Sequence, residues 1–273
     1  MFRKYGLLGV LMIVFAEANF FLKIQPFANL YFPIVWYGYI LVIDALVYKL
    51  RGNSLISNRI NQFLGMIVIS SLVWWVFEFL NIITGNWNYV GIEGIRLKNI
   101  IGTISFSTVM PAFFETVELI RSVRLFGRKK LHKRHKITKR LLHSMMALGV
   151  ICFIAPVLLP KFAYPLIWFS FFFILDPINY IHRQPSIVGH LKDRKLATPM
   201  SLLLAGIILG FLWEFWNYWA IPKWTYDIPF VGFFKIFEMP VLGYIGYFPF
   251  ALELYAMYWF ARSLFARKEH LLE

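Results

Sequence analysis

The segment at residues 36–54, WYGYILVIDALVYKLRGNS, decides the fold class, because a long apolar run contains one acidic residue and ends in basic residues. A second segment at residues 168–186, WFSFFFILDPINYIHRQPS, aligns with it without a gap. Five polar or aromatic identities fall in register, including Asp44 with Asp176 and Ser54 with Ser186. The pair therefore predicts an apolar helix that occurs twice in the chain, with an aspartate at the same place in each copy.

The composition around these segments is that of a membrane protein. Hydrophobic residues make up 59% of the 273 residues and charged residues only 15%. A soluble fold of this size cannot bury so much apolar surface, so lipid must cover part of it. At about 20 residues per span, eight transmembrane helices are predicted at residues 5–22, 30–48, 62–84, 99–120, 141–160, 162–181, 199–221 and 239–261.

The basic residues predict the topology. The net charge of +14 lies between the apolar segments, which argues against nucleic acid as the partner. With eight spans, 22 Lys and Arg fall on one side and 6 on the other, so both termini are predicted to be cytoplasmic in a multi-pass protein of the cell membrane. The basic segment 121–140 is predicted to be a linker that contacts anionic lipid headgroups.

Further matches extend the repeat. Glu78 and Asn81 precede a Trp-x-Tyr loop, as do Glu214 and Asn217, and Pro-x-x-x-Glu recurs at residues 111–115 and 249–253. The sequence therefore predicts an all-α protein made of two parallel four-helix repeats, with a pseudo-twofold axis along the membrane normal. The predicted domains are residues 1–120, the linker 121–140 and residues 141–273, and a central space lined by both repeats is the expected place for a site.

Acidic residues inside the apolar segments are the candidate functional groups, because a carboxylate in hydrocarbon needs a partner, a wet cavity or a proton. Glu17 and Glu118 occur in one repeat only and are set aside. The predicted catalytic residues are Glu78, Glu115, Glu214 and Glu253. The predicted substrate-binding residues are Asn81, Asn217, Trp87, Trp224, Tyr89, Tyr226, Asp44 and Asp176. The structural alternative is that these groups only hydrogen-bond between helices.

Residues 84–89, TGNWNY, followed by 111–115, PAFFE, resemble the lycopene cyclase domains of carotenoid synthesis, small membrane-helix domains that occur as paired copies. The resemblance implies acid-initiated ring closure of a polyene, in which Glu115 and Glu253 correspond to the glutamates after the proline. Residues 213–217, WEFWN, are similar to a stretch of the integral-membrane terpene cyclases, which implies related chemistry.

The leading hypothesis is a membrane enzyme that acts on an isoprenoid, carotenoid-like or other apolar lipid by carboxylic acid chemistry, as a cyclase or isomerase. The alternatives are a proton- or cation-coupled transporter and a non-catalytic lipid-binding protein. No phosphate loop, dinucleotide fingerprint or zinc motif occurs in the sequence, so no cofactor and no metal are expected.

Overall fold

The computed structural model describes residues 2–127, 130–131 and 136–265, and most of them are helical. The helices are α1 (Lys4–Leu22), α2 (Tyr31–Arg51), α3 (Leu55–Asn58), α4 (Ile60–Thr84), α5 (Ile95–Phe106), α6 (Val109–Ser122), α7 (Lys139–Leu158), α8 (Pro160–Ala163), α9 (Ile167–Ile181), α10 (Ile187–Lys192), α11 (Ala197–Trp219) and α12 (Tyr247–Phe265). Short 3-10 helices lie at Tyr164–Leu166 and Val241–Gly246. The strands are β1 (Trp87–Val90), β2 (Lys223–Tyr226), β3 (Lys235–Ile236) and β4 (Met239–Pro240).

Seven helices within the described ranges are long and apolar enough to cross a membrane. They correspond to the first seven predicted spans, which supports an all-α membrane protein. Two of them contain a break: α5 and α6 together form the span Ile95–Ser122, and α8, a 3-10 turn and α9 form the span Pro160–Ile181. The eighth predicted segment, 239–261, is a strand, a 3-10 helix and most of α12, and it is not one of the seven. The count of eight spans stays a prediction.

The chain divides into two compact units, which are discontinuous in sequence. Unit 1 comprises Met1–Leu125 and Ala205–Ile245, and unit 2 comprises Phe126–Leu204 and Gly246–Glu273. This division follows spatial proximity and not sequence similarity. The predicted repeat boundaries therefore stay a prediction, and the part of the basic linker at residues 128–129 and 132–135 lies outside the described residues.

Glycine permits a close contact between α1 and α2 in unit 1. A Cβ atom on Gly9 of α1 would lie 2.5 Å from the carbonyl oxygen of Gly38 on α2, and a Cβ on Gly38 would lie 2.8 Å from the carbonyl oxygen of Gly9. Contacts this short leave no room for any side chain, so the two backbones meet directly. Close approach at small residues is a usual basis for helix association in membranes, where no hydrophobic driving force acts between helices.

Asp44 and Asp176 each fix the start of a short helix. The backbone N–H of Ile56 donates to Asp44 Oδ1 at 2.8 Å, and the Ser54 hydroxyl donates to Asp44 Oδ2 at 2.7 Å. In unit 2 the backbone N–H groups of Ile187 and Val188 donate to the two oxygens of Asp176 at 2.6 and 2.9 Å. The first N–H groups of a helix have no intrahelical partner, so a buried aspartate that accepts them anchors α3 to α2 and α10 to α9.

A two-stranded antiparallel ribbon in unit 1 replaces the loops that the sequence predicts after α4 and α11. Strand β1 pairs with β2, with Trp87 opposite Tyr226, Asn88 opposite Thr225 and Tyr89 opposite Trp224. A second, shorter ribbon pairs β3 with β4. Strands this short are not visible as periodicity in the sequence, because four residues carry too little alternation.

Replacing Asp176 by Ala is expected to lower the stability of the protein by about 2 to 4 kcal/mol, because two N–H groups at the start of α10 lose a buried acceptor. The measurement is thermal unfolding of the purified protein in detergent, where the midpoint should fall by about 5 to 10 °C. Asp193→Ala is the control, since Asp193 is exposed at the end of the same helix. Equal midpoints for the two variants would contradict the anchoring role.

Candidate functional site

Glu78 is surrounded by hydrogen-bond donors near the C-terminal end of α4. Its Oε1 accepts from the indole N–H of Trp74 at 3.2 Å, the indole N–H of Trp87 at 3.1 Å and the hydroxyl of Tyr89 at 2.6 Å. Two of these donors come from β1, whose position depends on Asn81. Glu78 thus contacts both Trp87 and Tyr89, and their catalytic and substrate-binding roles stay a prediction.

Glu214 of α11 has a related but different arrangement, and its side chain is fully buried. The Tyr226 hydroxyl donates to Glu214 Oε1 at 2.7 Å, and the Trp224 indole N–H donates to that hydroxyl at 2.8 Å. The tryptophan therefore acts on Glu214 through the tyrosine, whereas Trp87 donates to Glu78 directly. Both glutamates belong to unit 1.

Asn81 and Asn217 hold the strands above the two glutamates. Asn81 Nδ2 donates to the carbonyl of Trp87 at 2.8 Å, and Asn217 Nδ2 donates to the carbonyl of Trp224 at 2.8 Å. The side-chain oxygens accept in turn from the backbone N–H groups of the same two tryptophans, at 3.2 and 2.9 Å. Each carboxamide is thus occupied by backbone groups, which gives Asn81 and Asn217 a structural role in positioning the ribbon.

Glu115 lies on α6 of unit 1 and is fully buried. Neither of its oxygens has a hydrogen-bond partner of good geometry within the described ranges. Asp44 and Glu118 are close enough to repel its charge, and Arg59 is close enough to attract it. Arg59 is itself engaged, because its Nη2 donates to both oxygens of Glu118 at 2.8 and 2.9 Å.

Aromatic side chains of α2 and α11 form a buried cluster beside this region in unit 1. The ring of Trp36 lies 4.9 Å from that of Trp216, 5.5 Å from that of Trp213 and 5.4 Å from that of Tyr39. The Tyr39 hydroxyl forms a 2.8 Å hydrogen bond with Thr116 Oγ1, on the residue that follows Glu115. The indole N–H of Trp36 is buried and has no acceptor in the described part of the chain.

Glu17 also contacts this cluster, and sequence reasoning missed it. Its Oε1 accepts from the Tyr31 hydroxyl and from the Trp216 indole N–H, both at 3.2 Å. The repeat comparison set Glu17 aside, because the other repeat has glycine at that place. Nothing in the sequence links Glu17 with Trp216, since 199 residues separate them.

The remaining predicted residues lie elsewhere. Glu253 belongs to α12 of unit 2, is fully buried, and its Oε1 accepts from the backbone N–H of Phe171 at 2.9 Å, while Oε2 has no partner within residues 136–265. Asp44 and Asp176 are occupied by the helix starts described above. The structure thus brings Glu78, Glu115 and Glu214 into one unit and places Glu253 in the other.

In the part of the chain that the structure describes, no group of three His, Cys, Asp or Glu side chains is arranged to hold a metal ion. Comparisons with known proteins found no matching family model, no matching curated protein and no matching solved structure. The site must therefore be interpreted from its own geometry.

Replacing Tyr89 by Phe tests the hydrogen bond to Glu78. Burial raises the pKa of the Tyr89 hydroxyl well above 10, and the charge of Glu78 adds to the shift. The stabilising contribution of this hydroxyl is therefore fully present below pH 10 and is lost at higher pH, because the unfolded chain then releases the proton first. We expect Tyr89→Phe to cost about 1 kcal/mol at pH 8, and the cost to shrink between pH 9 and 11.

The measurement is the thermal midpoint of both proteins across this pH range. Tyr218→Phe is the control, since Tyr218 is an exposed tyrosine of the same unit. If the thermal midpoints of Tyr89→Phe and of the unaltered protein differ by a constant amount from pH 8 to 11, the stabilising hydrogen bond from Tyr89 to Glu78 is refuted.

Proposed function

We propose that this protein is a multi-pass enzyme of the cell membrane that acts on an isoprenoid, carotenoid-like or similarly apolar lipid by carboxylic acid chemistry, as a cyclase or isomerase. The observation that carries the proposal is Glu115, a fully buried carboxyl group whose two oxygens have no well-placed partner in the described ranges. A buried ionised carboxylate without a partner is very costly, so this side chain is assigned the protonated form. A neutral acid in apolar surroundings is the group that protonates a carbon–carbon double bond.

The surroundings of Glu115 fit a reaction that passes through a carbocation. The cluster of Trp36, Tyr39, Trp213 and Trp216 presents ring faces whose negative potential stabilises a cation. The same rings form an apolar surface for a polyene chain.

The proposed reaction leaves the substrate with an unchanged mass. Glu115 transfers its carboxyl proton to a terminal double bond, and the cation that results is attacked by a neighbouring double bond of the same chain, which closes a ring. A carboxylate then removes a proton from an adjacent carbon, which restores the double bond. Glu78 already accepts three hydrogen bonds on one oxygen, so we assign it to stabilising positive charge rather than to donating a proton.

Two further features belong to the same proposal. The resemblance of residues 84–89 and 111–115 to lycopene cyclase domains suggests a linear carotenoid as the substrate. We also propose the arrangement of two parallel four-helix repeats, with eight spans and cytoplasmic termini. Two observations at matching positions support it: Asp44 and Asp176 both anchor a helix start, and Asn81 and Asn217 both bind the backbone of a strand. In the β1–β2 ribbon, moreover, the Trp of each strand lies opposite the Tyr of the other.

The test is expression in a bacterial host that accumulates lycopene, followed by chromatography and mass spectrometry of the extracted lipids. The unaltered protein is expected to form a product with the mass of lycopene and a different retention time. Glu115→Gln removes the proton donor but keeps the size and the polarity, so product should fall at least about 100-fold. Glu253→Gln, on the other residue that the resemblance assigns to catalysis, should also lose product.

The control is Glu93→Gln, the same change at an exposed glutamate outside the spans, which should leave product formation unchanged. Size-exclusion chromatography shows whether each variant is folded. Full product from a folded Glu115→Gln variant would exclude the proposed mechanism. Absence of any product from the unaltered protein would exclude lycopene as the substrate.

A further inference from the structure

A buried arginine lies near the end of α12 in unit 2. Only 8% of Arg262 is exposed, and its Nη1 has no hydrogen-bond partner among residues 2–127, 130–131 and 136–265. Its guanidinium carbon is 5.3 Å from the centre of the Trp259 ring. Glu253 is the acidic residue that precedes it on α12, nine residues and about 13 Å away along the helix, which is too far for an ion pair.

The neighbouring residue Trp259 also has a buried hydrogen-bond donor without an acceptor among the described residues. Trp259 is 2% exposed, and its indole N–H is buried without an acceptor in the described part of the chain. Two adjacent buried donors without acceptors are uncommon, because buried polar groups are hydrogen-bonded in the large majority of cases. A group that supplies oxygen atoms to both donors would remove this cost.

Ordinary structural roles do not explain the pair. An arginine that only anchors a helix at the membrane surface extends its guanidinium into water, whereas Arg262 is covered by protein. Interaction with the negative end of the α12 dipole stabilises its charge, but does not supply an acceptor for Nη1. The stacking on Trp259 orients the guanidinium without satisfying its N–H groups.

The charges around this end of unit 2 are predominantly positive. Helices α9 and α12 run in the same direction, since Phe171 contacts Glu253 and Asn179 contacts Ala256 farther along both helices. Arg262 therefore lies at the end where α9 passes into α10. The segment between residues 182 and 195 carries two histidines, two arginines and two lysines against the single acid Asp193. Its His190 bonds the hydroxyl of Tyr255, whose ring contacts Trp259.

We propose that Arg262 and Trp259 bind a phosphate group, either the headgroup phosphate of a membrane lipid or free phosphate. The planar guanidinium matches two oxygens of a tetrahedral anion, and the indole N–H supplies a neutral donor beside it. The positive segment before α11 favours an anion at this end. The proposal does not rest on the proposed reaction, because it is argued from the two donors of Arg262 and Trp259 and from the charges around them.

The experiment uses the full chain, purified in detergent. Phosphatidylglycerol binding is measured by native mass spectrometry, and the thermal midpoint is measured with and without sodium phosphate against sodium chloride of equal ionic strength. Arg262→Gln is expected to weaken the binding of phosphatidylglycerol at least tenfold. Trp259→Phe keeps an aromatic ring but removes the indole N–H, and should weaken the binding about three- to tenfold. Lys161→Gln is the control at an exposed cation of the same unit that lies outside both basic segments, 121–140 and 182–195, and its affinity should stay within twofold of that of the unaltered protein.

The two sources of phosphate give different results. If both variants lose phosphatidylglycerol and phosphate shifts no midpoint, the ligand is a lipid headgroup. If phosphate raises the midpoint of the unaltered protein and of neither variant, the ligand is free phosphate. Unchanged affinity and unchanged midpoints in Trp259→Phe overturn the proposal, even where Arg262→Gln does not fold.

Discussion

A helix inside a bilayer cannot hydrate its polar side chains, so each of these groups has to find a partner within the protein. Asp44 and Asp176 find theirs in the N–H groups that begin α3 and α10, which have no partner of their own within the helix. Asn81 and Asn217 find theirs in the backbone of the strands above them. In these four cases the side chain and the backbone group each satisfy the other's hydrogen-bonding requirement, and the bond fixes the position of a helix or strand.

The same constraint separates structural from functional groups. A carboxyl group whose two oxygens both accept hydrogen bonds from the protein has no free acceptor for a substrate, which makes Asp44 and Asp176 anchors first. Glu115 is equally buried, but neither of its oxygens has a hydrogen-bond partner of good geometry among the described residues. In unit 2, Nη1 of Arg262 and the indole N–H of Trp259 likewise have no partner among the residues that the structure describes. Unused buried polar atoms are retained at a cost to stability, and this cost is the reason for proposing catalysis at Glu115 and ligand binding at Arg262 and Trp259.

The sequence predicts the membrane class well and the contacts less well. Runs of apolar residues mark seven of the eight predicted spans, because length and hydropathy are local properties. The aspartates are found by the repeat, but their role as helix anchors is not, since the donors lie 10 to 12 residues farther on, across a turn. Glu17 is missed for the converse reason. Its partner Trp216 is distant in sequence, and comparison of the two copies removes any residue that only one copy uses.

Residues at equivalent positions of the two predicted repeats differ in how similar their hydrogen bonds are. The asparagine pair makes nearly the same hydrogen bonds in both places, as expected where a bond holds the backbone. The aspartates share one bond, from the backbone N–H of Ile56 and of the matching Val188, but Asp44 also accepts from the Ser54 hydroxyl, whereas Asp176 accepts from the N–H of Ile187. Glu78 and Glu214 differ as well: Trp87 donates to the carboxylate directly, whereas Trp224 donates to the hydroxyl of Tyr226. A bond that fixes the backbone tolerates little variation, because the geometry of the fold depends on it. The glutamates are free of that requirement, and their different surroundings give the two positions different chemical properties within one unit.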